Sequence, residues 1–211
     1  MGTIRKESRH VLIEDDYQYA LDYATKLFFS GKVFVYPTDT IYGFGGNRFN
    51  ERAVKKIELI KRRDESKGFI MLLSSVELLS RYVEVRDIAQ LSFLRRIFPN
   101  AISVVMKLNR RTREETGGRT AAFRIPDNRF CLDLCSKIRL PLISTSVNRR
   151  GDPPLNDFSE IKREFDDEVD VIFHTLVKSK KTVSTIIDLT GEKPLLLRQG
   201  KVKYQEIIKK L

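Results

Sequence analysis

The sequence predicts an α/β protein, a helix-covered, mixed or parallel sheet in a three-layer arrangement. Three observations carry that expectation. Residues 33–36 and 69–73 are unbroken apolar runs, which is how strands covered on both faces read. Between them Ala53, Val54, Ile57 and Ile60 recur at helical spacing. Similar alternation continues to the end of the chain. With 211 residues, 41% of them hydrophobic, the chain can bury a core as one domain, 1–211.

The first helix is predicted at 17–28. Asp15 and Asp16 stand at its start, Ala20, Leu21, Ala24, Leu27 and Phe28 form its stripe, and Gly31 lies just past its end. After the strand at 33–36 a glycine-rich turn leads to a helix at 51–61 and the strand at 69–73. Helices near 76–82 and 88–98 follow, the second stopped by Pro99. Strands at 101–107, 121–125 and 142–146 are expected, with a helix at 129–138 before the last. The final third offers a helix at 158–165, short strands near 171–173, 185–189 and 195–197, and a terminal helix from Tyr204. Segment 149–156, with Gly151, Pro153 and Pro154, is the best candidate for a mobile loop, and 178–182 a weaker one.

Composition narrows the function. Lys and Arg number 39 against 28 Asp and Glu, a net charge of +11 that concentrates polyanions within about 8 Å of the surface at physiological salt. No apolar run reaches the roughly 20 residues that span a bilayer, and the first residues are too charged for a secretory signal, so a soluble cytoplasmic protein is expected. Cys131 and Cys135, four apart on one helical face, read as two small buried hydrophobes in preference to a redox pair. No Walker-type phosphate loop or dinucleotide fingerprint occurs. Two distant histidines, His10 and His174, argue against a zinc hydrolase or a Ser-His-Asp nucleophile.

What remains is hydroxyls and cations at strand ends, where open α/β sheets bind ligands. Thr38 and Thr40 follow the first apolar strand, Ser144, Ser146 and Asn148 close another, and Ser184 and Thr185 open a later one. Lys61, Arg63 and Lys67 supply charge suited to phosphates, and Arg124 and Arg198 stand beside strand ends where a guanidinium can fork onto a carboxylate or phosphate. Each feature also has a plain structural reading. Lys61, Arg62 and Arg63 could be a solvated helix end favoured by the macrodipole, residues 38–40 an ordinary capping turn near Asn50, and 144–146 a polar strand end.

In order and spacing these pieces resemble the YrdC/TsaC family of threonylcarbamoyl-AMP synthases, from about residue 32 to 200. The resemblance rests on the P-T-D-T-x-Y-G turn at 37–43, the K-x-R at Lys61 and Arg63 with Lys67 beyond, and the S-x-N at Ser146 and Asn148. It is completed by the S-T-I-I-D run at 184–188 and the L-R-x-G at 197–200. It implies a YrdC-like fold, a twisted mixed sheet flanked by helices with a large basic concave cavity. It further implies an ATP-dependent nucleotidyltransferase that makes threonylcarbamoyladenylate and pyrophosphate from L-threonine, bicarbonate or CO2, and ATP, with Mg2+ assisting. By resemblance Lys61, Arg63, Lys67, Thr116, Ser146, Asn148 and Arg198 would hold ATP, and Thr38, Arg124, Ser144 and Ser184 would orient L-threonine. The metal ligands stay unassigned, and no residue serves as a covalent nucleophile. A carbamate oxygen attacks the α-phosphorus in line, so positioning and charge neutralisation carry the rate.

The sequence also departs from the family pattern. Phe98-Pro99-Asn100-Ala101 stands where W-P-G-P is common, Asn148-Arg149-Arg150-Gly151 where N-x-S-G is frequent, and Leu72 where long members have a histidine. Little chain follows Gly200, so the short, single-domain type is expected, whose members pass the adenylate to a separate tRNA-modifying transferase complex. The alternative is a double-stranded or structured RNA-binding protein of the same fold, which the positive charge fits. A sugar-phosphate synthase of riboflavin biosynthesis ranks last, because the 37–43 turn offers only Asp39 as an acid.

Overall fold

The structure, a computed structural model, describes residues 9–62, 68–177 and 182–211. One mixed, ten-stranded sheet organises it, in the order β1-β8-β2-β3-β7-β4-β6-β5-β9-β10. Its first half consists of β1 (His10–Leu12), β2 (Phe34–Tyr36), β3 (Gly43–Gly45), β7 (Leu142–Ser146) and β8 (Val171–His174). The second half holds β4 (Ile70–Leu72), β5 (Ile102–Lys107), β6 (Thr120–Arg124), β9 (Thr185–Asp188) and β10 (Leu195–Arg198). Strand β7 joins the halves, pairing antiparallel with β3 through Ser146 and Thr145 and with β4 through Ser144, Ile143 and Leu142.

Strand β2 shows why three layers form. Alternate side chains point to opposite faces. Phe34 and Tyr36 pack under α1 (Tyr17–Phe29) and α6 (Arg129–Ile138), whereas Val33 and Val35 pack under α2 (Glu51–Lys61) and α7 (Phe158–Phe165). A third cluster beneath α3 (Val76–Leu79), α4 (Ile88–Ile97) and α8 (Tyr204–Ile208) covers β5, β6 and β9. Each long helix begins as its residues dictate: the side chains of Asp16, Asn50, Asp87, Asn128 and Asp157 accept a backbone N–H of the first turn. No described helix is long and apolar enough to cross a membrane.

Three elements depart from the sequence expectation. Residues 43–45, read as part of a turn, form β3, packed so closely that a Cβ on Gly45 would lie 2.7 Å from the rings of both Phe34 and Tyr36. Helix α5 (Arg110–Thr116) has no apolar stripe and is laced by the i,i+4 pairs Arg110–Glu114 and Arg111–Glu115. Strand β1 is a short edge strand, parallel to β8. Segment 149–156 is anchored, with Leu155 N–H donating to the Val147 carbonyl at 2.8 Å and Tyr42 N–H to Asn156 Oδ1 at 3.0 Å. The second loop candidate, 178–182, lies mostly outside the described residues.

Cys131 and Cys135 are free, buried thiols in the α1/α6 layer, and burial pushes both well above the ordinary thiol range. Beyond them Phe173 is fully buried, with the rings of Phe34 and Phe130 each 5.7 Å away and Tyr23 at 6.1 Å. Phe173→Ala should therefore destabilise the protein by about 3–5 kcal/mol, read from urea unfolding.

Asp170 ties two elements together. Its Oδ2 accepts the Val33 N–H at 2.9 Å and the Lys56 ammonium at 2.7 Å, and Lys32 lies 3.2 Å from Oδ1. Burial opposes its charge, but Lys56, the Val33 N–H and Lys32 outweigh that and hold its carboxyl below the ordinary value. A depressed folded pKa gives stability that is present above the unfolded value, about 3.9, and is lost as pH falls through the folded pKa. Asp170→Asn should thus lower stability at pH 7 and flatten its decline below about pH 4, measured by denaturation across pH.

Candidate functional site

The turn after β2 builds one wall. Thr40 N–H donates to Thr38 Oγ1 at 3.1 Å, the local side-chain turn that threonine offers. Thr38 Oγ1 donates to the Ile41 carbonyl at 2.8 Å and lies 2.9 Å from Thr40 Oγ1, which receives the Arg124 Nη1 proton at 2.9 Å. A hydrogen-bonded chain therefore runs from Arg124 through Thr40 and Thr38 to the backbone. Arg124 Nη2 also pairs with Asp39 Oδ1, and both side chains are only 5% exposed. Asp39 Oδ2 and Arg124 Nε, both buried, have no hydrogen-bond partner among the described residues.

The end of β7 forms a second wall. Ser146 pairs with Gly43 and Ser144 with Ile70, and a Cβ on Gly43 would come within 3.1 Å of Ser144 Oγ. Glycine at 43 therefore keeps the space beside that hydroxyl clear. Ser146 Oγ donates to Asn148 Oδ1 at 2.6 Å. Behind them lies Lys61, 5% exposed, whose ammonium donates to the Ser146 carbonyl at 2.5 Å, Asn148 Oδ1 at 2.9 Å and the Asn148 carbonyl at 3.1 Å.

Arg198, at the end of β10, supplies the third wall. Its guanidinium donates to the Ser184 carbonyl at 2.9 Å and to Ser184 Oγ at 3.1 Å, and Ser184 Oγ lies 2.9 Å from Ser103 Oγ. Gly200 allows this approach, since a Cβ there would fall 2.4 Å from the Val183 carbonyl oxygen.

These walls enclose a hollow of about 310 Å³ lined by Arg124, Arg198, Ser144, Ser146, Ser184 and Thr40, with Ile41, Tyr42, Ile70, Val183 and Ile186 as its apolar surface. Burial, and then the nearby positive charge of Arg124, lower the Arg198 pKa from its ordinary value. Among the described residues two guanidiniums and no carboxylate line the hollow, and Asp39 pairs with Arg124 from outside that lining, which leaves the hollow short of negative charge. An anionic ligand flanked by hydroxyls fits that deficit.

Of the residues singled out in the sequence, Arg124, Ser144, Ser146, Ser184 and Arg198 converge here. Thr38 stands one hydrogen bond behind Thr40, and Asn148 behind Ser146. Lys61 corrects the solvated-helix-end reading, because its charge is buried against the carbonyls of Ser146 and Asn148. Thr116 lies elsewhere, on an adjoining hollow of about 290 Å³ with Phe49, Tyr82 and Thr120, and Gly68 borders both hollows. Arg63 and Lys67 fall outside the described residues. Among the described lining residues, the sequence reading gave no site role to Ile41, Tyr42, Gly68, Ile70, Thr145, Pro154, Val183 or Ile186, although Ile41, Tyr42 and Ile186 fall inside its motifs. Pro154 carried a signal, as part of the irregular segment after the S-x-N, whereas the apolar ones look like ordinary strand neighbours.

Among the described residues no group of three or more His, Cys, Asp or Glu could hold a metal ion. The chemistry on offer is hydrogen bonding and charge neutralisation around an anion.

The Sua5/YciO/YrdC family model, described as telomere recombination, matches residues 26–200. A threonylcarbamoyl-AMP synthase of Cellvibrio japonicus is 28% identical over 175 residues, covering 82% of this chain and 93% of its own. Sua5 of P. abyssi, in a doubly substituted form, superposes with a TM-score of 0.85 at 27% identity, over 95% of this chain and 62% of that one. P. abyssi Sua5 complexed with L-threonine gives 0.82 at 26% identity, over 92% of this chain and 58% of that one. The chain thus spans about three fifths of Sua5 and nearly all of the Cellvibrio relative.

Asp39→Ala would strand the buried Arg124 charge, at a loss of about 3–5 kcal/mol in urea unfolding. Asp39→Asn, which keeps a hydrogen-bond acceptor, should lose less.

Proposed function

The chain belongs to the Sua5/YciO/YrdC family, and on that premise we propose that it is a threonylcarbamoyl-AMP synthase, joining L-threonine, bicarbonate and ATP into threonylcarbamoyladenylate with release of pyrophosphate. The observation that carries this reading is the convergence of Arg124 and Arg198 with Ser144, Ser146 and Ser184 on one hollow. L-threonine would sit toward Arg124, Ser144 and Ser184, its carboxylate offsetting the excess guanidinium charge. ATP would sit toward Arg198 and Ser146, with Arg63 and Lys67 on its phosphates and Thr116 reached through the adjoining hollow. Thr38, Lys61 and Asn148 support this set from behind, as their hydrogen bonds imply.

Threonine's amine takes up CO2 to form a carbamate, and the carbamate oxygen displaces pyrophosphate at the α-phosphorus. No protein group is covalently modified. Holding the two reactants in line can supply roughly 7 to 11 kcal/mol of the barrier, and fixed donors around the developing charge add to it. Mg2+ would enter as part of the nucleotide substrate. Such an enzyme would work in the cytoplasm as one YrdC-like unit, 1–211, and pass its product to a tRNA-modifying transferase complex. The net charge of +11 favours a second reading, structured-RNA binding that weakens steeply with salt.

Purified protein should release pyrophosphate from ATP only when L-threonine and bicarbonate are both present, and labelled bicarbonate should appear in the adenylate by mass spectrometry. Arg198→Ala should lower kcat/KM by about 100-fold or more. Pyrophosphate release that ignores threonine, or an Arg198→Ala enzyme of full activity, would sink the assignment.

A further inference from the structure

Behind the Ser146 wall a closed circuit of contacts joins four separate segments. Arg149 follows the S-x-N turn, and its side chain is only 15% exposed. Its Nη1 donates to the Ile60 carbonyl at 2.5 Å, in the last turn of α2, and to Glu168 Oε2 at 2.9 Å. Nη2 donates to the other Glu168 oxygen, and Nε lies 3.5 Å from Glu164. The guanidinium stacks 4.4 Å from the Phe165 ring centre, Phe165 meets Phe44 edge-on at 5.1 Å, and the Lys61 ammonium lies 5.6 Å from the Phe44 ring. Lys61 then returns to Ser146 and Asn148, and Asn148 Nδ2 donates to the Arg149 carbonyl at 2.9 Å. The next residue closes the clamp, Arg150 N–H donating to the Lys61 carbonyl at 2.9 Å.

Helix α2 ends with carbonyls that need donors, and here Arg149 and Arg150 meet that need from the β7 turn. The same bonds fix the height of Ser146 on the hollow wall and the point where the chain leaves α2 at Arg62. Glu168 holds the fork in place, as a bidentate partner that lysine cannot match. The hydrogen bond between them, with their opposite charges, holds Glu168 below and Arg149 above their ordinary pKa values.

We propose that Arg149 is a positioning residue for the ATP side of the hollow, setting Ser146 and the exit of α2 while touching neither substrate. This rests on the proposed synthase reading. Arg124, Ser144 and Ser184 lie outside the circuit, so the threonine side should not depend on it.

The test is calorimetric binding of a non-hydrolysable ATP analogue with Mg2+, and separately of L-threonine, to the full chain and to Arg149→Ala and Arg149→Lys. Hydrogen exchange at the Arg62 and Arg150 amides is followed alongside. Loss of the fork should weaken the analogue by about ten-fold or more in both variants, leave L-threonine within about two-fold, and speed exchange at those two amides. Lysine keeps a charge opposite Glu168 but lacks the planar fork that holds both Glu168 oxygens and the Ile60 carbonyl at once, so it should preserve stability better than alanine without restoring nucleotide affinity. Equal weakening of both ligands, unchanged nucleotide affinity, or full rescue by lysine would overturn the proposal. A wild-type protein that bound neither ligand would instead overturn the synthase reading, and the exchange rates would still decide whether Arg149 clamps the turn.

Discussion

The buried pairing of Arg124 with Asp39 is the constraint on which the site depends. It joins the turn after β2 to the end of β6, strands separated by three others in the sheet. Two ions withdrawn from water lose several kcal/mol of hydration each, which attraction alone need not recover. The threonine relay beneath Arg124 helps by giving the guanidinium a further acceptor already locked to the backbone. Such an arrangement is poor material for stability alone. It makes sense where a positive group must be held at one spot, dry and correctly aimed, before a ligand arrives.

The second guanidinium sharpens that point. Arg198 stands close enough to Arg124 to feel its charge, and among the described residues no acidic side chain lines the hollow. An anionic ligand would relieve the repulsion between them. Apolar walls from Ile41, Ile70, Val183 and Ile186 lower the local dielectric and so strengthen that preference. Family membership and the hollow's electrostatics therefore point the same way from independent starting points.

Most of the layered fold was legible because long elements carry period and caps together. Helices α2, α6 and α7 and strand β7 fall where their apolar spacing puts them. Strand β3 was hidden because glycines weaken a strand pattern, yet there the rings of Phe34 and Tyr36 leave room for nothing larger. Helix α5 was hidden because ion pairs, not an apolar face, mark it. In the site, the hydroxyls and arginines were readable from their order along the chain. The burial of Lys61 was not, because a cation at a helix end looks alike whether it meets water or the carbonyls of a distant strand. Thr116 came from family likeness alone, and the structure puts it on the neighbouring hollow.

The thiol of Cys131 has a quieter consequence. It leans on the Pro37 carbonyl at 3.4 Å, immediately before the threonine turn, while the helix that bears it seals it from solvent. Any opening wide enough to admit an alkylating reagent must therefore part the α1/α6 layer beside that turn. The rate at which this sulfur is labelled becomes a clock for breathing of the wall behind the anion hollow, built into the native chain without an added probe.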